Sequence, residues 1–366
     1  MVSLRRRNSF DCLTSNTCGW NGSLETKTVN TVSRLKSPKE LLIASRKYAT
    51  ENVWVSLWCV ISTTIVWTAL LVAVFKIPSI PWKIVTSIVL GLVHVRLFVI
   101  YHDYQHGAIL RKSRFIRAFM FLFGMITLSP PSVWKRSHNH HHKNNAKLYG
   151  ASIGSYPVMT TKDYAAAPLL RRLQYRIARH PLFIGLGYVT VFFLGMCIRP
   201  LFINPRRHWD AIFAVIVHVT IYFVLAMTGN SHNIIFVMII PMAIASGMGS
   251  YLFYAQHNFP SVELKIGRDW THVQAALKSS SYIRMSRLFD WFTANIGYHH
   301  IHHLNHNIPF YKLPKAMAAI KELKNPGVTS LLPWDVYKCL RLKLWDVERN
   351  KLVTFAFARR ERRAAV

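Results

Sequence analysis

Three histidine clusters, separated by long stretches of chain, carry most of the chemistry that this sequence can offer. They share the spacing i, i+3 or i+4, which places imidazoles on one face of a helix. Their members are His102 and His106; His138, His141 and His142; and His299, His302 and His303. Neutral imidazole is a ligand for Zn, Cu, Fe and Ni. Eight imidazoles exceed what one metal ion takes, so the clusters predict a site for two.

Two simpler explanations of the clusters are weaker. A low-complexity tract or expression tag would not repeat helical spacing at three places between apolar segments. The run His102–His106 resembles the zinc-protease pattern H-E-x-x-H with Asp in place of Glu. The shorter acid would reach a bound water poorly, and this pattern leaves the other two clusters unused. Five scattered cysteines without a C-x-x-C pair add no thiolate zinc site.

Composition and charge indicate the class of protein. Of the 366 residues 51% are hydrophobic, and they gather into long runs. Lys and Arg number 46 against 15 acids, for a formal net charge of +31. So basic a chain could bind nucleic acid, but no separate basic module interleaved with aromatics is present in the sequence. The basic residues instead flank the apolar runs, as on the cytoplasmic side of membrane proteins, and no nucleic-acid partner is expected.

Four apolar runs are long enough to cross a bilayer. At about 1.5 Å per residue, roughly 17–25 residues cross a hydrocarbon core about 30 Å thick. The predicted spans are residues 53–75, 84–100, 211–227 and 234–255. A proline-marked turn joins the first two, and a loop without charged residues joins the last two. The spans therefore form two hairpins.

Further apolar segments are predicted to lie at the membrane surface. Phe115–Leu128 is too short to span comfortably. Pro181–Ile198 has basic residues on both flanks, so both of its ends look cytoplasmic. Lys315–Lys324 and Trp334–Trp345 predict two helices that lie on the bilayer. The expected fold is an all-α integral membrane protein: four transmembrane helices in two hairpins, interfacial helices, and a cytoplasmic helical cap carrying a di-metal site.

Two complete hairpins return the chain to its starting side, so both termini and every histidine cluster are expected in the cytoplasm. A bacterial inner membrane is favoured over an organelle membrane. Residues 1–48 are polar and basic and predict a disordered tail, with a transit peptide as the alternative. Residues 49–366 are expected to form one domain that carries the predicted metal site. Arg96, in the second predicted span, is expected to extend to the interface.

One isolated histidine completes the predicted ligand set. His257 follows the fourth predicted span as His106 follows the second. Its place at the mouth of a span makes it the expected ninth ligand. His94 lies two turns before His102 and is expected to be a hydrogen-bonded core residue.

The three clusters resemble the histidine boxes of the membrane fatty acid desaturases. The resemblance runs from about Val53 to Phe355 and keeps the boxes in order at similar intervals. Asn295–Asn305, the following Ile308-Pro309, and Leu342–Asp346 are similar to the bacterial acyl-lipid, Δ12/ω-6-like branch. Three spaced boxes around two membrane hairpins seldom arise by chance.

This resemblance implies a di-iron site held by the box histidines and His257. It also implies dioxygen as oxidant and two electrons per turnover from ferredoxin or cytochrome b5. The sequence contains no His-Pro-Gly-Gly haem motif, so a separate donor protein is expected. Asp103, Asn295 and His306 are expected around the ligands. Phe253 stands where some relatives have an Asn one turn before the extra histidine, which puts a water-bridging ligand there in doubt.

The expected activity is the introduction of a double bond into a fatty acyl chain of a membrane lipid, mid-chain in the manner of a Δ12 enzyme. Breaking an unactivated C–H bond exceeds what acid–base groups can do, so metal–oxygen chemistry is required. Three-box hydroxylases and ketolases acting on acyl, sphingolipid or carotenoid substrates remain alternatives. A metal transporter or sensor is disfavoured, because only His94, Arg96 and His218 could line a path through the spans.

Two histidines inside the boxes are expected to be bystanders. Residue i+2 lies about 200° round a helix from residue i, so His140 points away from the site that His138 faces. His300 lies one residue off the face of its own box. Both are therefore excluded from the predicted ligand set.

Overall fold

The computed structural model describes residues 35–150, 153–229, 232–265 and 267–364. Four of its helices are long and apolar enough to cross a membrane. They are the first span Val53–Lys76, the second span Ile80–His106, the third span Trp209–Met227 and the fourth span Ile234–His257. The predicted fold class of four spanning helices and a helical cap is confirmed. The fourth span begins with a π-helical segment, Ile234–Ile239, and continues as an α-helix.

The second span is longer than its hydropathy predicts. It continues without a break through His102 and His106, so the first histidine cluster forms its last turns. Gly107 ends the helix with φ of 74°, a left-handed conformation that glycine adopts without steric cost. The spanning helix itself therefore carries two site histidines, and no loop separates them from the membrane segment.

Shorter helices surround the spans. Arg114–Ile126 and Pro131–Asn144 form a pair bent by 88°, in agreement with a surface or re-entrant arrangement. The predicted surface segment around 181–198 is a short α-helix, a π-helix and another α-helix: Pro181–Gly185, Tyr188–Ile198 and Arg199–Ile203. The cap comprises Thr161–Ala166, Leu169–Ala178, Gly267–Asp269, His272–Ser279, Arg287–Phe292, His299–Leu304, Phe310–Lys312, Leu313–Ala319, Lys321–Leu323, Pro333–Arg341 and Phe355–Ala364.

The structure also contains two small β-sheets that the sequence did not predict. Met159–Thr160 pairs with Leu344–Asp346, which pairs with Lys351–Val353. Ser281–Arg284 pairs with Gly327–Ser330. The predicted helix Trp334–Trp345 is therefore wrong at its end, because the helix stops at Arg341 and Trp345 is a buried strand residue.

The second and fourth spans pack closely because glycine removes a side chain between them. A Cβ atom at Gly91 would lie 2.8 Å from Ile244 Cβ and 2.9 Å from the Pro241 carbonyl oxygen. Small residues allow this approach between membrane helices. The contact holds together the two spans whose ends carry His102, His106 and His257.

Arg96 does not extend to the interface as predicted. Its side chain is buried, with Nε donating to Thr63 Oγ1 at 3.0 Å and Nη1 donating to the Trp291 carbonyl. The guanidinium also lies 4.5 Å from the Trp291 ring centroid. The charge therefore ties the first two spans to the cap segment around 291.

Part of the predicted tail is an ordered helix. Pro38–Arg46 is a helix with a capping box, in which Ser37 and Glu40 exchange hydrogen bonds, and Leu41 on it is buried in the core. Residues 1–34 of the predicted tail lie outside the described residues.

Candidate metal centre

The nine predicted histidines converge on two adjacent groups. The five-histidine group contains His102, His106, His138, His142 and His302. The four-histidine group contains His141, His257, His299 and His303. Within each group the candidate ligand nitrogens all lie within 4.8 Å of one another. The groups are neighbours, since the His142 and His303 rings stack with centroids 4.2 Å apart.

Two helices outside the four long spans divide their histidines between the groups. On Pro131–Asn144, His138 and His142 enter the five-histidine group while His141 enters the other. On His299–Leu304, His299 and His303 enter the four-histidine group while His302 crosses to the first. Each i, i+4 pair thus stays together, and the residue at i+3 goes to the other group.

The nitrogens of the five-histidine group face one another at close range. His102 Nε2 lies 3.0 Å from His138 Nε2, and His142 Nε2 lies 3.1 Å from both His138 Nε2 and His302 Nε2. His106 Nε2 has no hydrogen-bond partner among the described residues. A cation about 2.0–2.1 Å from each nitrogen would separate neighbouring ligands by roughly 3 Å. These distances therefore fit a bound metal ion.

The four-histidine group has the same spacing. His257 Nε2 lies 3.0 Å from Nε2 of both His141 and His299. His303 Nε2 lies 3.2 Å from His141 Nε2 and 3.1 Å from His299 Nε2. Four nitrogens thus face a common point, as ligands of a second metal ion would.

Hydrogen bonds on the far side of three rings leave Nε2 free to bind metal. His102 Nδ1 lies 3.0 Å from the Asp103 carboxylate and His257 Nδ1 lies 3.0 Å from the Ser279 carbonyl, so each Nδ1 carries the proton. His141 Nδ1 lies 2.7 Å from Ser155 Oγ. In a neutral ring, a protonated Nδ1 leaves a lone pair on Nε2.

Asp103 also makes a hydrogen bond to the segment after the third cluster. Its second oxygen accepts a hydrogen bond from the Phe310 amide at 2.7 Å, and the Phe310 carbonyl accepts one from Asn295 Nδ2 at 3.3 Å. Asp103 thereby fixes the Phe310 backbone, which follows the third cluster, next to the end of the second span. Asn295 holds the same backbone from the other side. Asp103 contacts a candidate ligand, whereas Asn295 acts through the Phe310 backbone.

Burial keeps the imidazoles of Pro131–Asn144 and His299–Leu304 neutral. Desolvation lowers the pKa of each well below the ordinary histidine range, and neighbouring imidazoles add to the shift. The residues are His138, His141, His142, His299, His302 and His303. Neutral imidazole is the form that binds a metal ion.

The other histidines of the boxes lie outside both groups. The His306 ring is 4.7 Å from His106 and 5.2 Å from His142 between centroids, so it borders the five-histidine group. His140 Nε2 donates to the Gly150 carbonyl at 3.2 Å, near the surface. His300 is completely buried and its Nε2 donates to the Leu323 carbonyl at 3.1 Å.

Three aromatic side chains border the site, and sequence reasoning did not single out two of them, Trp134 and Tyr156. Trp134 stacks on His138 with centroids 4.4 Å apart. Phe253 lies 4.9 Å from the His141 ring, and Tyr156 lies 6.2 Å from Phe253. The position of Trp134, one turn before His138, is the only signal in the sequence for its role. Phe253 presents an apolar wall to the four-histidine group.

The helix Pro131–Asn144 is anchored at its start. The Asp210 carboxylate, at the beginning of the third span, accepts hydrogen bonds from the Ser132 amide at 2.8 Å and from Ser132 Oγ at 2.5 Å. A carboxylate at a helix N-terminus meets free amides and the positive end of the dipole. This contact sets the position of the three histidines that follow.

An apolar cavity of about 320 Å³ lies among the four spans. Its lining includes Trp67, Leu90, His94, Leu225 and Met242. His94 does not belong to either histidine group; its ring packs against Trp67 and Phe123. Eight residues separate His94 from His102, or about 12 Å along the helix.

The chain matches known proteins over most of its length. The model of the family "Fatty acid desaturase" matches residues 78–329. A fatty acid desaturase of Bacillus subtilis strain 168 is 30% identical over 262 residues, which cover 71% of this chain and 74% of that protein.

Two cyanobacterial proteins are similar at lower identity. An sn-1 oleoyl-lipid 12-desaturase of Picosynechococcus sp. is 22% identical over 298 residues, 77% of this chain and 82% of that protein. An sn-1 acyl-lipid omega-3 desaturase (ferredoxin) of Nostoc sp. is 27% identical over 243 residues, 63% of this chain and 65% of that protein. With its four membrane helices and paired histidine groups, this chain belongs to the fatty acid desaturase family, and it is a membrane enzyme that desaturates lipids.

Proposed function

We propose that this protein is a di-iron acyl-lipid desaturase that uses O2 and two electrons from a ferredoxin. The observation that carries the proposal is the convergence of nine imidazoles on two adjacent points. Imidazole suits iron among other metals, and five ligands at one point exceed the four of a tetrahedral zinc site. The nine histidines are proposed as the ligands.

The reaction removes two hydrogen atoms from adjacent carbons of the acyl chain and leaves a double bond. O2 accepts four electrons, two with the hydrogen atoms of the acyl chain and two from the donor. Two protons come from those hydrogen atoms and two from solvent, so that two water molecules form. Bound iron supplies the oxidising power that acid–base groups lack.

Residues around the site orient the ligand rings and exclude water. Asp103 and the Ser279 carbonyl fix the rings of His102 and His257, so that each Nε2 faces the metal position. Phe253 and Trp134 line the site with apolar surface that excludes water.

A glycerolipid acyl chain is the proposed substrate. The cavity among the spans offers apolar room on the membrane side of the second span's histidines. The cyanobacterial relatives act, by their names, on sn-1 acyl lipids. We place the new double bond mid-chain, in the manner of a Δ12 enzyme.

The site is proposed to face the cytoplasm, because two complete hairpins return the chain to one side and the basic flanks favour that side. A ferredoxin is the proposed donor, since the Nostoc relative carries that donor in its name. Cytochrome b5 is the less supported alternative.

The test expresses the chain in a host whose lipids contain only saturated and monounsaturated chains, together with a plant-type ferredoxin and its reductase. Gas chromatography should detect a new dienoic acid, and metal analysis should find about two irons per chain. A hydroxylated or keto product would favour the alternative three-box enzymes. Zinc in place of iron, or no new product, would contradict the proposal.

A further inference from the structure

The helix Pro131–Asn144 has two contrasting faces. His138, His141 and His142 are buried in the metal centre, while Lys135, Arg136, Asn139 and Lys143 are exposed. Arg136 and Lys143, at i and i+7, line the side opposite the site histidines, and Lys135 is exposed at the edge of that side. The four exposed residues Lys135, Arg136, Asn139 and Lys143 are called the outer face below.

The outer face is positively charged without compensation. The helix contains Lys135, Arg136 and Lys143 and no Asp or Glu. In the described part of the chain, none of these three cations takes part in an ion pair. Their charge is therefore free to attract an acidic partner.

This face is unlike the parts of the protein that suit a lipid surface. The helix Leu169–Ala178 exposes Leu169, Leu170 and Leu173 beside its arginines, with exposed fractions of 77%, 66% and 51%. Apolar side chains next to cations are typical of a helix lying in a bilayer surface. The large apolar residues of Pro131–Asn144, Val133 and Trp134, are both buried, so its outer face is entirely polar.

The outer face is also close to the metal centre. His138 and His142 belong to the same helix, and a helix with its side chains is about 10–12 Å across. A carrier seated on the outer face is separated from the five-histidine group by little more than this one helix.

We propose that the outer face, through Lys135, Arg136 and Lys143, is the docking site for an acidic, ferredoxin-type electron carrier. This inference rests on the proposed function, because it gives the electron donor its place on the molecule. Attraction by exposed charges acts mainly on association and weakens with salt.

The test compares two charge-reversal triples in nanodiscs of neutral phosphatidylcholine and, in parallel, in nanodiscs that also contain anionic lipid. The docking variant is Lys135→Glu, Arg136→Glu and Lys143→Glu. The matched control is Lys315→Glu, Lys321→Glu and Lys324→Glu, which reverses three exposed lysines after the third histidine cluster. Binding of a plant-type [2Fe–2S] ferredoxin is measured directly at several salt concentrations, together with the KM for ferredoxin and the metal content.

The docking variant should bind ferredoxin at least tenfold more weakly, with a shallower dependence on salt, a raised KM and unchanged metal content. The control should change by less than about twofold. Equal weakening in both variants would show that only net charge matters, and unchanged binding in the docking variant would refute the site. A defect confined to nanodiscs with anionic lipid would assign the face to the membrane and overturn the proposal.

Failure of the proposed function gives a different result. If the wild-type protein binds ferredoxin through this face but forms no desaturated product, the docking site stands and the proposed reaction does not. If product forms and the docking variant keeps a normal KM for ferredoxin, the reaction stands and the docking site does not.

Discussion

The two histidine groups take histidines from different membrane hairpins. The five-histidine group takes His102 and His106 from the second span, and the four-histidine group takes His257 from the fourth. Both groups also take ligands from the same two shorter helices, Pro131–Asn144 and His299–Leu304. The site therefore lies where the two hairpins meet, and each shared helix binds them together.

The groups also differ in what supports their rings. His102 is held by the carboxylate of Asp103, whereas His257 and His141 are held by a backbone carbonyl and a serine hydroxyl. Hydrogen bonds to a charged partner are roughly twice as strong as neutral ones. His102 thus has the strongest single support among these three rings, whereas the four-histidine group has two neutral supports, fewer ligands and an apolar wall at Phe253.

The largest expected effect comes from removing one crossing histidine from each group. His302→Ala depletes the five-histidine group and His141→Ala the four-histidine group. Each should reduce turnover by well over 100-fold. Changing a residue that only hydrogen-bonds to a ligand typically costs 10–100-fold. Metal analysis should find about one iron per chain instead of about two. Retention of both irons in either variant would remove that residue from the ligand set.

A second prediction concerns the unequal support of the groups. Asp103→Asn should lower activity by roughly 10–100-fold, because the amide no longer provides a charged acceptor for His102 Nδ1. Ser155→Ala, on the other side, should cost less than about tenfold. Turnover and iron content at matched expression measure both. Equal losses in the two variants would mean that the charge on Asp103 gives no special support.

His300→Ala should act on stability and leave the chemistry intact. The change leaves a cavity and an unpaired Leu323 carbonyl, which together cost about 2–4 kcal/mol. Thermal unfolding in detergent should shift down by several degrees, while the folded fraction keeps its iron and its turnover per iron. His300→Gln, which retains a donor, should recover part of the loss. A loss of iron at unchanged stability would instead make His300 a ligand.

The smallest effect is expected for His140→Ala. His140 adjoins His141 in sequence, yet the only described hydrogen bond of its side chain runs to the Gly150 carbonyl near the surface. Stability should stay within about 0.5 kcal/mol, and activity with a saturating electron donor should stay within about twofold. The same unfolding and turnover assays check it. A variant as inactive and iron-poor as His141→Ala would show that the helical-face argument is wrong.

Helical spacing was enough to predict which histidines come together, because i, i+3 and i+4 define one face wherever the helix lies. It could not predict how they divide, because the division depends on how two helices cross in the folded protein. The support of His257 by the Ser279 carbonyl could not be predicted from the sequence, because every residue has a backbone carbonyl. Arg96 was misplaced because hydropathy reports its depth and gives no hint of Trp291, a partner 195 residues away.

The sharing of His299–Leu304 by both groups has a consequence for biosynthesis. Neither group can be completed until His303 has been made, about 200 residues after His106. At roughly 5–20 residues per second, the ribosome needs about 10–40 seconds for that stretch. During this time the first two clusters wait at the membrane without their partners. Neither metal position can have its full ligand set until late in synthesis, and a chain truncated before the third cluster would carry six of the nine histidines and neither complete group.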